Sequence, residues 1–218
     1  MDLLYLLVTL LLAPITQAAD CAANHIIIAR ASTEQPGPGV IGSLATLVTQ
    51  DFPGTTMESV VYPATLENYA NSSAMGTAGM KKLLTTYVDA CPTSKVVLMG
   101  YSQGAHVVGD VMCGGGGIGG SAMTPPVDAK YGDSVKAMIQ MGDPRFVLGK
   151  SYNVGTATSD GLFPRQANMT CDKYAEKIQL YCDDGDPFCE KGDTLEVHLN
   201  YTKKYNEQAR AFVKTKLT

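Results

Sequence analysis

The 218-residue chain predicts an α/β fold, one parallel sheet of about five strands with helices on both faces. Three observations carry that prediction. Short β-branched runs alternate with longer helical patterns, the order that lays parallel strands side by side. The pentapeptide Gly100-Tyr-Ser-Gln-Gly104 matches Gly-x-Ser-x-Gly and sits between the most strand-like run and a helical pattern. No repeat, linker or composition break divides the sequence, and at this length one core buries roughly 70% of the chain's surface.

The elements follow in order. A continuous apolar run from Leu3 to Ala13 precedes small residues at Ala18 and Ala19. It is too short to span a bilayer. It fits a secretory signal peptide over residues 1–18, cleaved after Ala18 or Ala19, although Asp2 stands where a basic residue is expected. One mature domain, 19–218, remains. His25–Arg30 reads as a first buried strand, Val40–Gln50 as a helix and Met57–Tyr62 as a second strand. A long helix opens at Ser72 or Ser73, with Met80, Leu83, Leu84, Tyr87 and Val88 at three- and four-residue spacing. Lys95–Gly100 is apolar enough to be buried on both faces, and a helix from Gln103 to Met112 follows. The glycine run Gly114–Gly120 is a loop. It lacks the Gly-Lys-Ser/Thr ending of a phosphate loop, so nucleotide binding is not expected. Val135–Gly142 and Ile178–Cys182 complete the strands. A last helix, Lys203–Leu217, places Tyr205, Ala209, Phe212, Val213 and Leu217 on one face.

Composition narrows the function. The net charge is −4 and no basic run occurs, which argues against nucleic-acid binding. No later segment is long and apolar enough to be a membrane span, so a soluble, secreted monomer is expected. Export would carry the six cysteines into an oxidising compartment. They allow 15 pairings and none forms the CxxC of a zinc site. Cys182 and Cys189 are close enough to close a short local loop. Sequons at Asn71, Asn168 and Asn200 offer glycosylation sites.

The chemistry centres on Ser102. A serine on a sharp strand-to-helix turn projects its hydroxyl from the sheet edge, and only small neighbours at Gly100 and Gly104 let strand and helix pass closely. The helix N-terminus then aims its amides where an oxyanion develops. Serine needs a base. Of the three histidines, His25 stands at the first strand and His106 lies one turn along the nucleophile helix, directed away from the hydroxyl. His198 alone follows in the order serine, acid, histidine, in a loop before the last helix. Asp183, Asp184, Asp186 and Asp193 could each be the acid, Asp193 least because a Cys182–Cys189 bridge would stiffen the loop of the other three.

These residues resemble the cutinase and acetylxylan esterase family of secreted serine esterases, a minimal α/β-hydrolase. Matching stretches span nearly the whole mature chain: Ala29-Arg-Ala-Ser-Thr-Glu34, Cys91-Pro92, the Ser102 pentapeptide, Met141-Gly-Asp-Pro144, Tyr181–Cys189 and His198. The resemblance implies Asp186 as the acid beside Ser102 and His198. It implies an oxyanion hole of Ser32 and the Gln103 amide. It also implies disulfides Cys21–Cys91 and Cys182–Cys189, with Cys113–Cys171 as the remainder. No metal or organic cofactor is implied.

The expected substrate is an ester on a plant cell-wall polymer, acetylated xylan or cutin. Tyr101, Phe188, Leu195 and Val197 are candidate pocket residues. The loop 187–197 looks more like acetylxylan esterases, and the rim 63–69 more like cutinases. The balance leans to short acyl esters. A catalytically silent secreted binding protein or effector is the rival class, and the intact triad argues against it.

Overall fold

The computed structural model describes residues 21–218, so the leader and its cleavage point lie outside the described residues. Six strands form one parallel sheet: β1 (Asn24–Ala29), β2 (Thr56–Ser59), β3 (Lys95–Tyr101), β4 (Val135–Met141), β5 (Asn153–Val154) and β6 (Ile178–Tyr181), in the order β2-β1-β3-β4-β6-β5. Every pairing is parallel. β1, β3 and β4 are the central strands, and Ile26–Ile28, Val96–Met99 and Ala137–Ile139 are buried on both faces. That is why they read as unbroken apolar runs and not as alternating ones.

Helices cover both faces. α2 (Tyr69–Ala90) and α3 (Gln103–Cys113) pack together against β1, β3 and β4. α1 (Gly42–Asp51) and α6 (Tyr201–Leu217) pair on the opposite side, where Arg210 closes a two-point bridge onto Asp51. Short helices α4 (Ala129–Ser134) and α5 (Leu195–Leu199) complete the set. Three disulfides pin the chain: Cys21–Cys91, Cys113–Cys171 and Cys182–Cys189. Among the described residues, no helix is long and apolar enough to cross a membrane.

The expected parallel sheet of about five strands is present with one addition, β5, only two residues long and too short to leave a pattern. Other expectations need correction. α2 opens at Tyr69, because the Ser72 hydroxyl is spent on Gln103 and Thr65 and does not cap the helix. His198 lies on α5 and not in a loop; five residues are too few to show helical periodicity. The glycine run is a loop apart from a 3₁₀ turn at Ile118–Gly120.

Candidate active site

β3 delivers Ser102 to the carboxyl edge of the sheet. Ser102 has φ 54° and ψ −117°, a strained conformation for a side-chain-bearing residue. Its neighbours must be glycine. A Cβ on Gly100 would stand 2.2 Å from the Gly104 carbonyl oxygen, and one on Gly104 would stand 2.0 Å from that of Ala29. The turn is anchored by the Ser102 amide, which donates to the Met141 carbonyl at 2.7 Å. Gln103 is fully buried. Its side chain accepts from Ser72 and donates to the Thr65 carbonyl, which fixes the first amides of α3 against the rim loop.

The loop after β1 carries Ser32. Buried Arg30 donates to the Tyr62 and Glu34 carbonyls, and the Glu34 carboxylate receives the Ala31 and Val40 amides. The Thr33 amide ties this loop to the Ala64 carbonyl at 2.7 Å. Within that clamp the Ser32 hydroxyl is buried and has no hydrogen-bond partner among the described residues. A buried donor left unpaired costs free energy, so a ligand oxygen that accepts from it is favoured.

His198 reaches the same cleft from α5. Its Nδ1 lies 2.8 Å from Asp186 Oδ2, which leaves Nε2 as the ring nitrogen free for a proton transfer. Gly142 makes room for the ring; a Cβ there would stand 2.7 Å from His198 Cε1. Phe188 packs on one face at 4.4 Å, Tyr101 meets the ring edge-on, and the Tyr101 hydroxyl donates to the His198 carbonyl. Asp186 is fully buried. Besides His198, its carboxylate accepts from the Tyr201 hydroxyl and the Phe188 and Cys189 amides. Burial alone would raise its pKa. The bond and charge of His198 and the two amides outweigh that and hold it below the ordinary carboxylate value.

The other acidic candidates stand elsewhere. Asp183 binds Lys204, Tyr205 and Thr156, and Asp184 and Asp193 are exposed. His25 is bound by Thr56 and Glu58. His106 bridges Tyr69 and Asp110 behind the cleft. Of the pocket candidates, Tyr101, Phe188 and Leu195 line the cleft. Val197 does not; it turns toward Gly185 on the far side of α5. Sequence reasoning missed Leu162, Phe163 and Leu199 among the lining residues. It also missed Tyr201, which lies two residues ahead of the last helical pattern read from the sequence and opens α6 in the structure.

The family model described as Cutinase matches residues 20–217. The chain belongs to the cutinase family. Within the family, it is 40% identical over 208 residues to an acetylxylan esterase of Hypocrea jecorina, covering 91% of this chain and 68% of that protein. It is 37% identical over 214 residues to Cutinase 11 of Verticillium dahliae, covering 94% and 72%. The catalytic core domain of acetyl xylan esterase from Trichoderma reesei superposes with a TM-score of 0.85 at 40% identity, covering 90% of this chain and 100% of that one.

Proposed function

We propose that the chain is a secreted serine carboxylesterase acting on esters of plant cell-wall polymers, with short acyl groups such as those of acetylated xylan as its substrates. One observation carries the reading: a strained Ser102 shares a cleft with a histidine whose far nitrogen is bound to a buried carboxylate. His198 Nε2 takes the Ser102 proton as Oγ attacks the ester carbonyl. The resulting oxyanion is held by the Ser32 hydroxyl and the Gln103 amide. His198 then protonates the leaving alcohol, and water releases the acyl group by the reverse proton path. Asp186 keeps the imidazole in the right tautomer and stabilises its protonated form. The apolar leader and three disulfides support export.

The acetylxylan esterase likeness supports the short-acyl choice. A second reading, longer esters such as those of cutin, is favoured by the cleft wall. Val40, Leu66, Leu162, Leu195 and Leu199 all line the cavity of about 580 Å³ and are 41–63% exposed. Labelling by an organophosphate, lost in Ser102→Ala, tests the mechanism; an active Ser102→Ala protein would end it. Rates on p-nitrophenyl acetate through palmitate separate the two substrates. A steep fall beyond butyrate supports short acyl esters, and sustained rates on long chains select the second reading.

A further inference from the structure

A second cavity of about 250 Å³ adjoins the cleft, and Phe163 lines both. Their chemistry differs. The cleft is walled mainly by aliphatic and aromatic side chains. The second cavity is bounded by the glycine loop 116–119, Arg145 and Gln166, with Ile118, Phe163 and Pro164 as its apolar residues.

Apart from Ile118, the loop carries no side chains, and Gly117 and Gly119 expose their backbone. Gly116, Gly117 and Gly119 have φ of 81°, 76° and 58°, where residues with a Cβ are strained. No atom lies within 4 Å of the point where a Cβ on Gly119 would stand. On Gly117 the equivalent point lies 2.8 Å from Met123 Sδ and 3.9 Å from the amide nitrogen of the exposed Gln166. Arg145 is 3% exposed, with one end held by Asp110 and the Gly116 carbonyl. Its Nε is buried without a partner among the described residues.

An ester has an acyl half and an alcohol half, and the two cavities suit opposite chemistries. We propose that the second cavity is a subsite for the alcohol half, and that it takes a hydroxyl-rich sugar unit of a polysaccharide whose acyl group lies in the cleft. An aliphatic chain would strip water from the bare backbone and the Gln166 amide and return no hydrogen bond. A sugar offers hydroxyls to those groups and a C–H face to Phe163 and Pro164. Phe163, shared by both cavities, marks where the chain passes from one to the other. The inference rests on the esterase reading and names the polymer class that this site selects.

Two variants test it away from the cleft. Gln166→Trp fills the cavity and Gln166→Ala removes its amide. The readout is the ratio of kcat/KM on acetylated xylotetraose to that on p-nitrophenyl acetate, which carries no sugar. The ratio is expected to fall about tenfold or more in Gln166→Trp and severalfold in Gln166→Ala, the scale of a lost pocket contact. An unchanged ratio in a folded Gln166→Trp protein overturns the proposal. Binding gives a second reading, independent of turnover. Unacetylated xylotetraose added to Ser102→Ala protein is expected to shift the amide resonances of Gly117, Ile118, Gly119 and Gln166; no shift there at millimolar sugar also overturns it. A wild-type protein inactive on p-nitrophenyl acetate would instead sink the esterase reading, and the binding experiment would still decide the subsite.

Discussion

At the scale of single residues, the site is a set of donors held in wait. Ser32 is the clearest case, since its hydroxyl is buried without a partner among the described residues, in a loop held by the Arg30–Glu34 clamp. Ser32→Ala is expected to fold normally and to lose about 10²–10³ in kcat, with KM little changed. Steady-state kinetics beside a thermal melt check both parts. Tyr201 acts one step further back, donating to Asp186 while accepting from the Asp183 amide at 2.9 Å. Tyr201→Phe leaves that buried amide unpaired and removes one donor from the carboxylate. A stability loss of about 1–3 kcal/mol in urea is the expected result. An unchanged midpoint would show that the hydroxyl contributes nothing to the site's rigidity.

Elements set how far those residues can drift. Asp186 sits in the loop closed by Cys182–Cys189, seven positions apart. The loop is also cross-tied by Glu190, which receives the Gly185 amide at 2.8 Å and the Thr158 hydroxyl. Replacing both cysteines with serine is expected to cost roughly 2–3 kcal/mol, the loop-closure contribution of so short a ring. Because Glu190 still holds the turn, the protein folds. The looser carboxylate then lowers kcat on p-nitrophenyl acetate more than it raises KM. Equal kcat in the variant and the parent would mean that hydrogen bonds alone fix the acid. The segment after β1 is tied in a similar way, since a hydrogen bond from the Thr33 amide to the Ala64 carbonyl couples the Ser32 loop to the Leu66 rim.

Across the whole molecule, buried charge governs the response to acid. Behind the cleft, Asp110 is buried, yet the His106 charge and bond and the Arg165 and Arg145 charges outweigh desolvation and hold its pKa far down. Asp186 is lowered too. For carboxylates depressed in the folded state, stability is complete above the unfolded value and is lost as pH falls through the folded one. Fully buried Asp143 is pushed up by desolvation and titrates in the opposite sense, which blunts the loss. Burial also lowers the His25 pKa, so the melting temperature is expected to decline gently below about pH 6.5 and to drop more steeply below about pH 4. Melts across that range check it, and a flat profile down to pH 2 would contradict the assigned directions.

What the sequence determined by itself was local. Unbroken apolar runs announced β1, β3 and β4, because strands buried on both faces have no polar side to interrupt them. Gly100 announced the Ser102 turn, because a Cβ there would meet Gly104, four residues on; the need for glycine at 104 comes from Ala29 on the neighbouring strand. The long-range arrangement was legible only where the motif stretches matched a family. Physical reading left four aspartates open for the acid, Asp193 the least favoured; the fold buries Asp186 against His198 and turns Asp183 to Lys204 and Tyr205. Only the tertiary structure set Tyr201 behind the carboxylate, joined Phe163 to both cavities and turned Val197 away. Periodicity and turn sterics are written in neighbouring residues. A cleft is made by side chains that meet only after distant segments pack, and no local pattern encodes which of their faces will point inward.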